Sequence, residues 1–456
     1  MRTLIQLSLL LLCVTCLGCL SPQTVPACTA SIDGGGADAL NPSTRFGDGA
    51  VNLDKPTDAQ TRPLQRPHQD AAALDVGVDT PDTSEVAPAQ PEPTPTGDLT
   101  CSGKGVWPGA SWSFKAPDEL GFDPTKLQDT LDQNAKHQTQ CVVVVRGGHI
   151  VAEWYAPGVA PTQAQKSWSV AKSYASTLVG IAVDRGDLPN LDAKAADWIP
   201  SWKGDGRASI SLRHLLSMSS GLAFDLTADN VGMVLAKDMT AKAIKSPLVK
   251  APGSAWEYSN HTVQSMEAVL REATGMNPET YAQVHLFGPL GMKADWAEDK
   301  NAQPALYMNV KASCRDHARF GYLMLKQGCW GTKRVISESW ISEATKPSTA
   351  HNKGYGLWWW LNGGMPTLDS VDFHDKGQSL HPFAPSDAFC AVGLGSQFIE
   401  VVPSLDLVVV RMGIAPPDDI KLLLKPKKLA QALKADGAQI PHNALLEGVL
   451  NALVKP

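Results

Sequence analysis

The chain contains 13 tryptophans, yet none precedes Trp107. Residues 20–105 are instead rich in Pro, Asp, Thr, Gln and Ala, as in Pro91-Glu92-Pro93-Thr94-Pro95-Thr96. Such a stretch buries too little apolar surface to offset the entropy of ordering it. It is expected to be a disordered linker with a reach of roughly 50 Å, followed by one globular domain over residues 106–456. Charge of one sign is also lacking: the formal net charge is −6 and no long lysine or arginine run occurs, which excludes a basic face for nucleic acid. There is no H-E-x-x-H, glycine-rich phosphate loop or histidine cluster, so neither a metal nor another cofactor is expected.

An apolar run long enough to cross a membrane, about 20 residues, is missing too. The apolar stretch 4–17 follows Met1-Arg2 and ends at Gly18-Cys19, the charged, apolar and small-residue order of a secretory leader. Cys19 resembles the lipidated cysteine of a bacterial lipobox, although Cys16 stands where leucine is usual; simple cleavage near Ala27 is the alternative. Residues 1–19 are thus expected to be a signal peptide. The protein is expected to be exported to the bacterial cell envelope and held at a membrane by lipid on Cys19. Cys13, Cys16 and Cys19 are spaced like a metal or redox motif, but an apolar leader is the wrong setting for one. The other six, Cys28, Cys101, Cys141, Cys314, Cys329 and Cys390, would meet conditions that permit disulfides. Cys314 and Cys329 flank a predicted helix that would hold them roughly 20 Å apart, too far to bridge.

Within the globular part, Leu127, Leu131 and Ala135 share one helical face behind Asp123-Pro124, which predicts an amphipathic helix over 123–136. Residues 141–145 and 149–155 read as strands joined at Arg146-Gly147-Gly148. An apolar helix is predicted over 169–184, further helices over 262–274 and 313–327, and three antiparallel strands over 388–392, 397–402 and 405–412. Strands at both ends around a helical middle predict an α+β fold, with one antiparallel sheet built from the two ends of the domain and a helical second lobe.

Ser169-Val170-Ala171-Lys172 is the S-x-x-K of the chain, at the start of a predicted helix. Positions i and i+3 share a helix face, so hydroxyl and amine can meet. Burial lowers a lysine's pKa, and a neutral amine can take a serine's proton. The helix N-terminus offers N–H groups to an oxyanion. Tyr258-Ser259-Asn260 is the second element: a phenol that can relay the proton and an amide that positions the lysine or the substrate. Helix capping is the other reading of Asn260. Tyr307-Met308-Asn309 repeats the Y-x-N pattern, but Tyr307 is expected to lead directly into a helix and to be structural. His374 and His381 read as surface histidines and are left out of the site.

These boxes occur with Gly121-Phe122-Asp123-Pro124, Gly180-Ile181-Ala182-Val183-Asp184-Arg185-Gly186, Ile210-Ser211-Leu212-Arg213-His214-Leu215-Leu216-Ser217-Met218-Ser219-Ser220-Gly221-Leu222 and Tyr355-Gly356-Leu357-Trp358-Trp359. In that order the chain resembles the serine β-lactamase and penicillin-binding protein superfamily, in the class C-related branch of esterases and 6-aminohexanoate-dimer hydrolases. The resemblance implies a five-stranded antiparallel sheet packed on helices with an all-helical second lobe. It also implies Ser169 as nucleophile, Lys172 as base and Tyr258 as proton shuttle, with Asn260, Gly393 and Leu394 around substrate and oxyanion. Where family members acting on β-lactams carry Lys-Thr-Gly or His-Thr-Gly, this chain has Asp387-Ala388-Phe389-Cys390-Ala391-Val392-Gly393-Leu394-Gly395-Ser396-Gln397, with no cation.

The expected function is hydrolysis of a small-molecule ester or amide through an acyl-enzyme. A D,D-peptidase, a β-lactamase and a non-catalytic binding or sensing lipoprotein are the alternatives. The leader makes its own prediction. Cys19→Ser is expected to move the protein from the membrane to the soluble fraction on cell fractionation, and mass spectrometry of the wild type should find acylated Cys19. An unmodified N-terminus beyond residue 19 contradicts the anchor.

Overall fold

The computed structural model describes residues 100–363, 380–413 and 442–454. The expected leader with Cys19, the linker up to residue 99, Cys28 and His374 lie outside them. Asp123 starts helix α1 (Pro124–Ala135), its carboxylate accepting the amides of Thr125 and Lys126, as an N-cap should. Strands β1 (Thr139–Arg146) and β2 (His149–Tyr155) form a hairpin whose turn needs Gly147 and Gly148 at φ 58° and 79°. After the short β3 (Gln165–Lys166) come helix α2 (Ala171–Arg185) and, beyond several short helical turns, α3 (Asn260–Thr274). Strands β3 and β4 (Ala294–Trp296) both pair with β5 (Val310–Ala312), which leads to helix α4 (Cys314–Leu325). A small hairpin, β6 (Cys329–Trp330) with β7 (Lys333–Arg334), precedes α5 (Glu338–Ala344). Strands β8 (Trp360–Leu361), β9 (Phe389–Gly393), β10 (Gln397–Val402) and β11 (Leu407–Gly413), then helix α6 (His442–Asn451), complete the order.

The main sheet runs β2-β1-β11-β10-β9-β8, so β1 from one end of the domain pairs with β11 from the other. It is an α+β fold with an antiparallel sheet, and it has six strands where five were expected. The sixth, β8, is two residues long and pairs Trp360 with Cys390 and Leu361 with Phe389; a tryptophan run that short carries no alternation from which to read a strand. The run Val142-Val143-Val144-Val145 has its explanation in burial on both faces. Val143 and Val145 join the core on the side of α2 and α4, whereas Val142 and Val144 join a second core with Leu127, Leu131, Leu445 and Val449. Among the described residues no helix is long and apolar enough to cross a membrane.

Two disulfides lock the domain, Cys101–Cys329 and Cys141–Cys314, with Cα separations of 5.9 and 6.3 Å. The first corrects the expected linker boundary. Cys101 is bonded to β6, its N–H donates to Thr332 O, and Thr100 bridges to Lys333, so residues 100–105 begin the folded part. Tryptophan usage overlooks this because the tether there is covalent rather than apolar.

Helix α2 packs tightly at Gly180, where a Cβ would lie 2.5 Å from ring atoms of Trp340. Gly→Ala in a helix interior gains up to about 1 kcal/mol from propensity, but overpacking a core costs about 1–3 kcal/mol. Gly180→Ala is therefore expected to lower Tm in thermal unfolding; an unchanged or higher Tm would show that Trp340 moves aside freely.

Candidate active site

Ser169 sits in a single 3-10 turn, Trp168–Val170, that runs directly into α2. The residue before it is bent: Trp168 has φ 47°, a conformation that costs a bulky residue of order 1–3 kcal/mol and persists only where neighbours enforce it. Asn309 is that neighbour. Its Oδ1 accepts from Trp168 N at 3.1 Å and its N–H donates to Trp168 O at 3.0 Å. The Y-x-N segment read as structural therefore fixes the approach to Ser169, and it leads into β5 before any helix.

One helical turn on, the Lys172 side chain is 1% exposed. Its Nζ lies 3.0 Å from Ser169 Oγ, 2.8 Å from Asn260 Oδ1 and 2.9 Å from Tyr307 O. Three acceptors match the three donors of an ammonium. A neutral amine would keep two of these bonds and turn its lone pair to the serine hydroxyl. Burial pushes the Lys172 amine down to about 7, opposed by the charge of Asp229, so both forms are accessible near neutrality.

Tyr258 is half-buried, with its ring centroid 4.8 Å from Lys172 Nζ and its hydroxyl hydrogen-bonded to Ser169. Burial raises its pKa, and the Ser169 bond opposes that. The phenol is thus protonated rather than a standing anion. The ring stacks on Trp360 at 6.0 Å and meets the edge of Tyr355 at 6.3 Å, so an aromatic wall aims the hydroxyl. By contrast, the Tyr307 phenol turns to Met239 Sδ at 3.5 Å, and Tyr307 serves the site through its carbonyl.

Asn260 opens α3, but the cap is Ser259, whose Oγ accepts from Thr262 N. This frees the Asn260 side chain for Lys172. Its Nδ2 donates to Asp229 O at 3.0 Å and to Asn230 Oδ1 at 3.2 Å, which orients Oδ1 towards the amine. Buried Asp229 accepts from Ser259 Oγ and from the backbone of Asn260 and His261, and His261 Nδ1 lies 3.0 Å away. Although burial opposes it, those bonds from His261 and from the Asn260 and His261 backbone hold the carboxyl below its ordinary range. Asp229 was invisible in the sequence, since it belongs to no motif and lies 31 residues before Asn260.

The end of β9 closes the other side. A Cβ on Gly393 would lie 2.4 Å from Ser167 O and 3.0 Å from Ser169 N, so only glycine lets the strand approach the serine backbone. Leu394 follows at the turn, with its side chain 39% exposed. Arg411 braces that turn from behind, donating to Gly395 O and Ser396 O as well as to Asn134, Thr139 and His137. His381, expected at the surface, is instead fully buried and lies 3.2 Å from Glu400; its loop folds over the sheet, which proline and polar composition did not reveal.

Residues 127–417, well over half of the chain, match the family described as Beta-lactamase. The chain belongs to the beta-lactamase family. It is a serine hydrolase of that family. It is 22% identical over 288 residues to the 6-aminohexanoate-dimer hydrolase of Paenarthrobacter ureafaciens, covering 57% of this chain and 73% of that one. It is 30% identical over 143 residues to esterase EstB of Burkholderia gladioli, covering 27% of this chain and 36% of that one. A solved β-lactamase-like protein from Bacteroides dorei is similar in fold, with a TM-score of 0.58 at 18% identity over 73% of this chain and 100% of that one.

Within this beta-lactamase-family fold the contact at Gly393 generates a prediction. Gly393→Ala should displace β9 or the Ser169 amide, and displacements near 1 Å can cost about 10²-fold in rate. Hydrolysis should fall by about that factor and Tm should drop, because the clash is with backbone, while circular dichroism stays near wild type. Retained activity would show that the strand is not held against the serine.

Proposed function

We propose that the protein hydrolyses a small ester or uncharged amide through an acyl-enzyme, with Ser169 as nucleophile, Lys172 as base and Tyr258 as proton shuttle. The observation that carries this reading is the buried Lys172 amine 3.0 Å from Ser169 Oγ. In the first half-reaction the neutral amine takes the Ser169 proton while Oγ bonds to the substrate carbonyl carbon. The resulting oxyanion meets the N–H groups of Ser169 and Leu394. The bond to the leaving group then breaks, and the proton passes from Lys172 through Tyr258 to the departing oxygen or nitrogen. In the second half, water attacks the acyl carbon, gives its proton to the Lys172–Tyr258 pair, and Ser169 Oγ leaves reprotonated. The names of the hydrolase and esterase relatives accord with this bond class. On the leader's evidence, we place the enzyme in the cell envelope, lipid-anchored at Cys19.

Ser169→Ala is expected to abolish turnover and fluorophosphonate labelling, and Lys172→Ala to lower the rate by about 10²–10⁴-fold. The working form of Lys172 is the neutral one, and its pKa lies at about 7. The rate should therefore fall as pH drops through about 7 and level off above it. Asp229 raises the pKa of Lys172, so Asp229→Asn should move that limb to lower pH. A limb that stays in place would remove Asp229 from the proton balance, and a fully active Ser169→Ala would sink the mechanism.

Specificity follows from the segment 387–397, which contains no Lys, Arg or His. A substrate carboxylate desolvated there without a partner loses several kcal/mol, and about 3 kcal/mol corresponds to two orders of magnitude in kcat/KM. A short-chain p-nitrophenyl ester is expected to outperform nitrocefin by kcat/KM. The reverse order would make the protein a β-lactamase.

A further inference from the structure

We propose that His381, Cys390 and Glu400 bind one divalent cation, with Zn2+ as the ion their donors match. The three come from separate places in the chain and meet only because of the fold. Cys390 on β9 and Glu400 on β10 are direct cross-strand partners, so their side chains leave the same face of the sheet. His381 comes over them on the loop that precedes β9, and that loop is held by Asn362, whose Nδ2 donates to the carbonyls of His381, Ala384 and Pro385. All three side chains are 0% exposed.

The ligand atoms all lie within 4.8 Å of one another, and the His381 Nε2 to Glu400 Oε2 separation is 3.2 Å. Tetrahedral Zn2+ with N, S and O ligands at about 2.0–2.3 Å sets its ligand atoms roughly 3.3–3.8 Å apart. One edge already has that length, and the widest needs to contract by about 1 Å. The donors are also the right set: one imidazole nitrogen, one sulfur and one carboxylate oxygen, the groups that zinc takes from proteins. Among the described cysteines Cys390 alone is outside a disulfide. Binding converts the Cys390 thiol to a thiolate and releases its proton to solvent. Thiolate and carboxylate then cancel the charge of the ion away from bulk solvent, with neutral His381 as third ligand and one bound water as the fourth. The ion would join the loop at 381–385 to the two strands whose shared turn carries Gly393 and Leu394. This inference does not depend on the roles proposed for Ser169 and Lys172.

The test uses the full chain stripped with a chelator and titrated with Zn2+, then with Co2+. One Zn2+ per chain, a raised Tm, and a thiolate-to-cobalt charge-transfer band that is lost in Cys390→Ser are expected. Glu400→Gln and His381→Gln should each weaken Zn2+ binding at least tenfold. A stoichiometric band that survives Cys390→Ser would put the metal on another cysteine and overturn the assignment. Should the variants fail to fold, the wild type still decides: Zn2+ must release about one proton per ion in weakly buffered solution, and the absence of binding or of proton release leaves a hydrogen-bonded triad and no site.

Discussion

The site depends on keeping one amine out of water. In solution Lys172 would be an ammonium, unable to take the proton that the proposed mechanism assigns to it. In the domain it is enclosed by α2, the start of α3 and the Tyr307 carbonyl, and its pKa falls to about 7. Burial alone would leave a poorly held side chain, so the enclosure is also polar where it must be, with three acceptors at 2.8–3.0 Å. Each acceptor has its own support. Asn260 is oriented by Asp229 and Asn230, Tyr307 is followed by the Asn309 clamp, and Ser169 is fixed by the turn that the clamp holds. The charge of Asp229 prevents burial from depressing the amine further, which would weaken it in the role of base proposed for it.

The same constraint explains why the backbone is strained and crowded here. A serine that begins a helix three residues before its lysine must be approached through a sharp bend, and Trp168 takes it at φ 47°. The two hydrogen bonds of Asn309 and the seat of β9 against Ser167–Ser169 hold that bend. At Gly393 the sheet lies against the Ser167–Ser169 turn. The six-stranded sheet thus contributes to the site chiefly as a rigid wall, kept rigid by packing on both faces and by the Cys141–Cys314 bond from β1 to α4.

Much of this was legible because it is local. Ser169 and Lys172 are one turn apart, the β1–β2 hairpin announces itself through Gly147-Gly148, and Asp123-Pro124 marks α1. What the sequence concealed is long-range. Asp229 reaches Asn260 across 31 residues, and Asn309 reaches Trp168 across 141. Neither pairing has a periodicity, and the Y-x-N at Tyr307 was recognised as a pattern while its working atoms, a carbonyl and a clamp, are ones no pattern reports. The burial of His381 is hidden for a related reason. A polar, proline-interrupted loop usually runs over the surface, and only the folded sheet shows that this one covers Cys390 and Glu400.

Charge placement links the fold to the substrate class proposed. By the resemblance, a family member acting on β-lactams would carry a cation on the strand that here spans residues 387–397, and the cation that contacts the turn after β9 is Arg411 on β11. It is 1% exposed, and its Nε, Nη1 and Nη2 are engaged behind the turn with Asn134, Thr139, Gly395, Ser396 and His137. Moving it to the front would leave those carbonyls without donors and a large void beside α1, a cost of several kcal/mol. A buried arginine with that many partners stays put. The turn is therefore stiffened by a positive charge that a substrate cannot reach. On the proposed mechanism, selection at this end of the cleft rests on shape and on the backbone N–H groups, which bind an oxyanion equally well whether or not the rest of the substrate is charged.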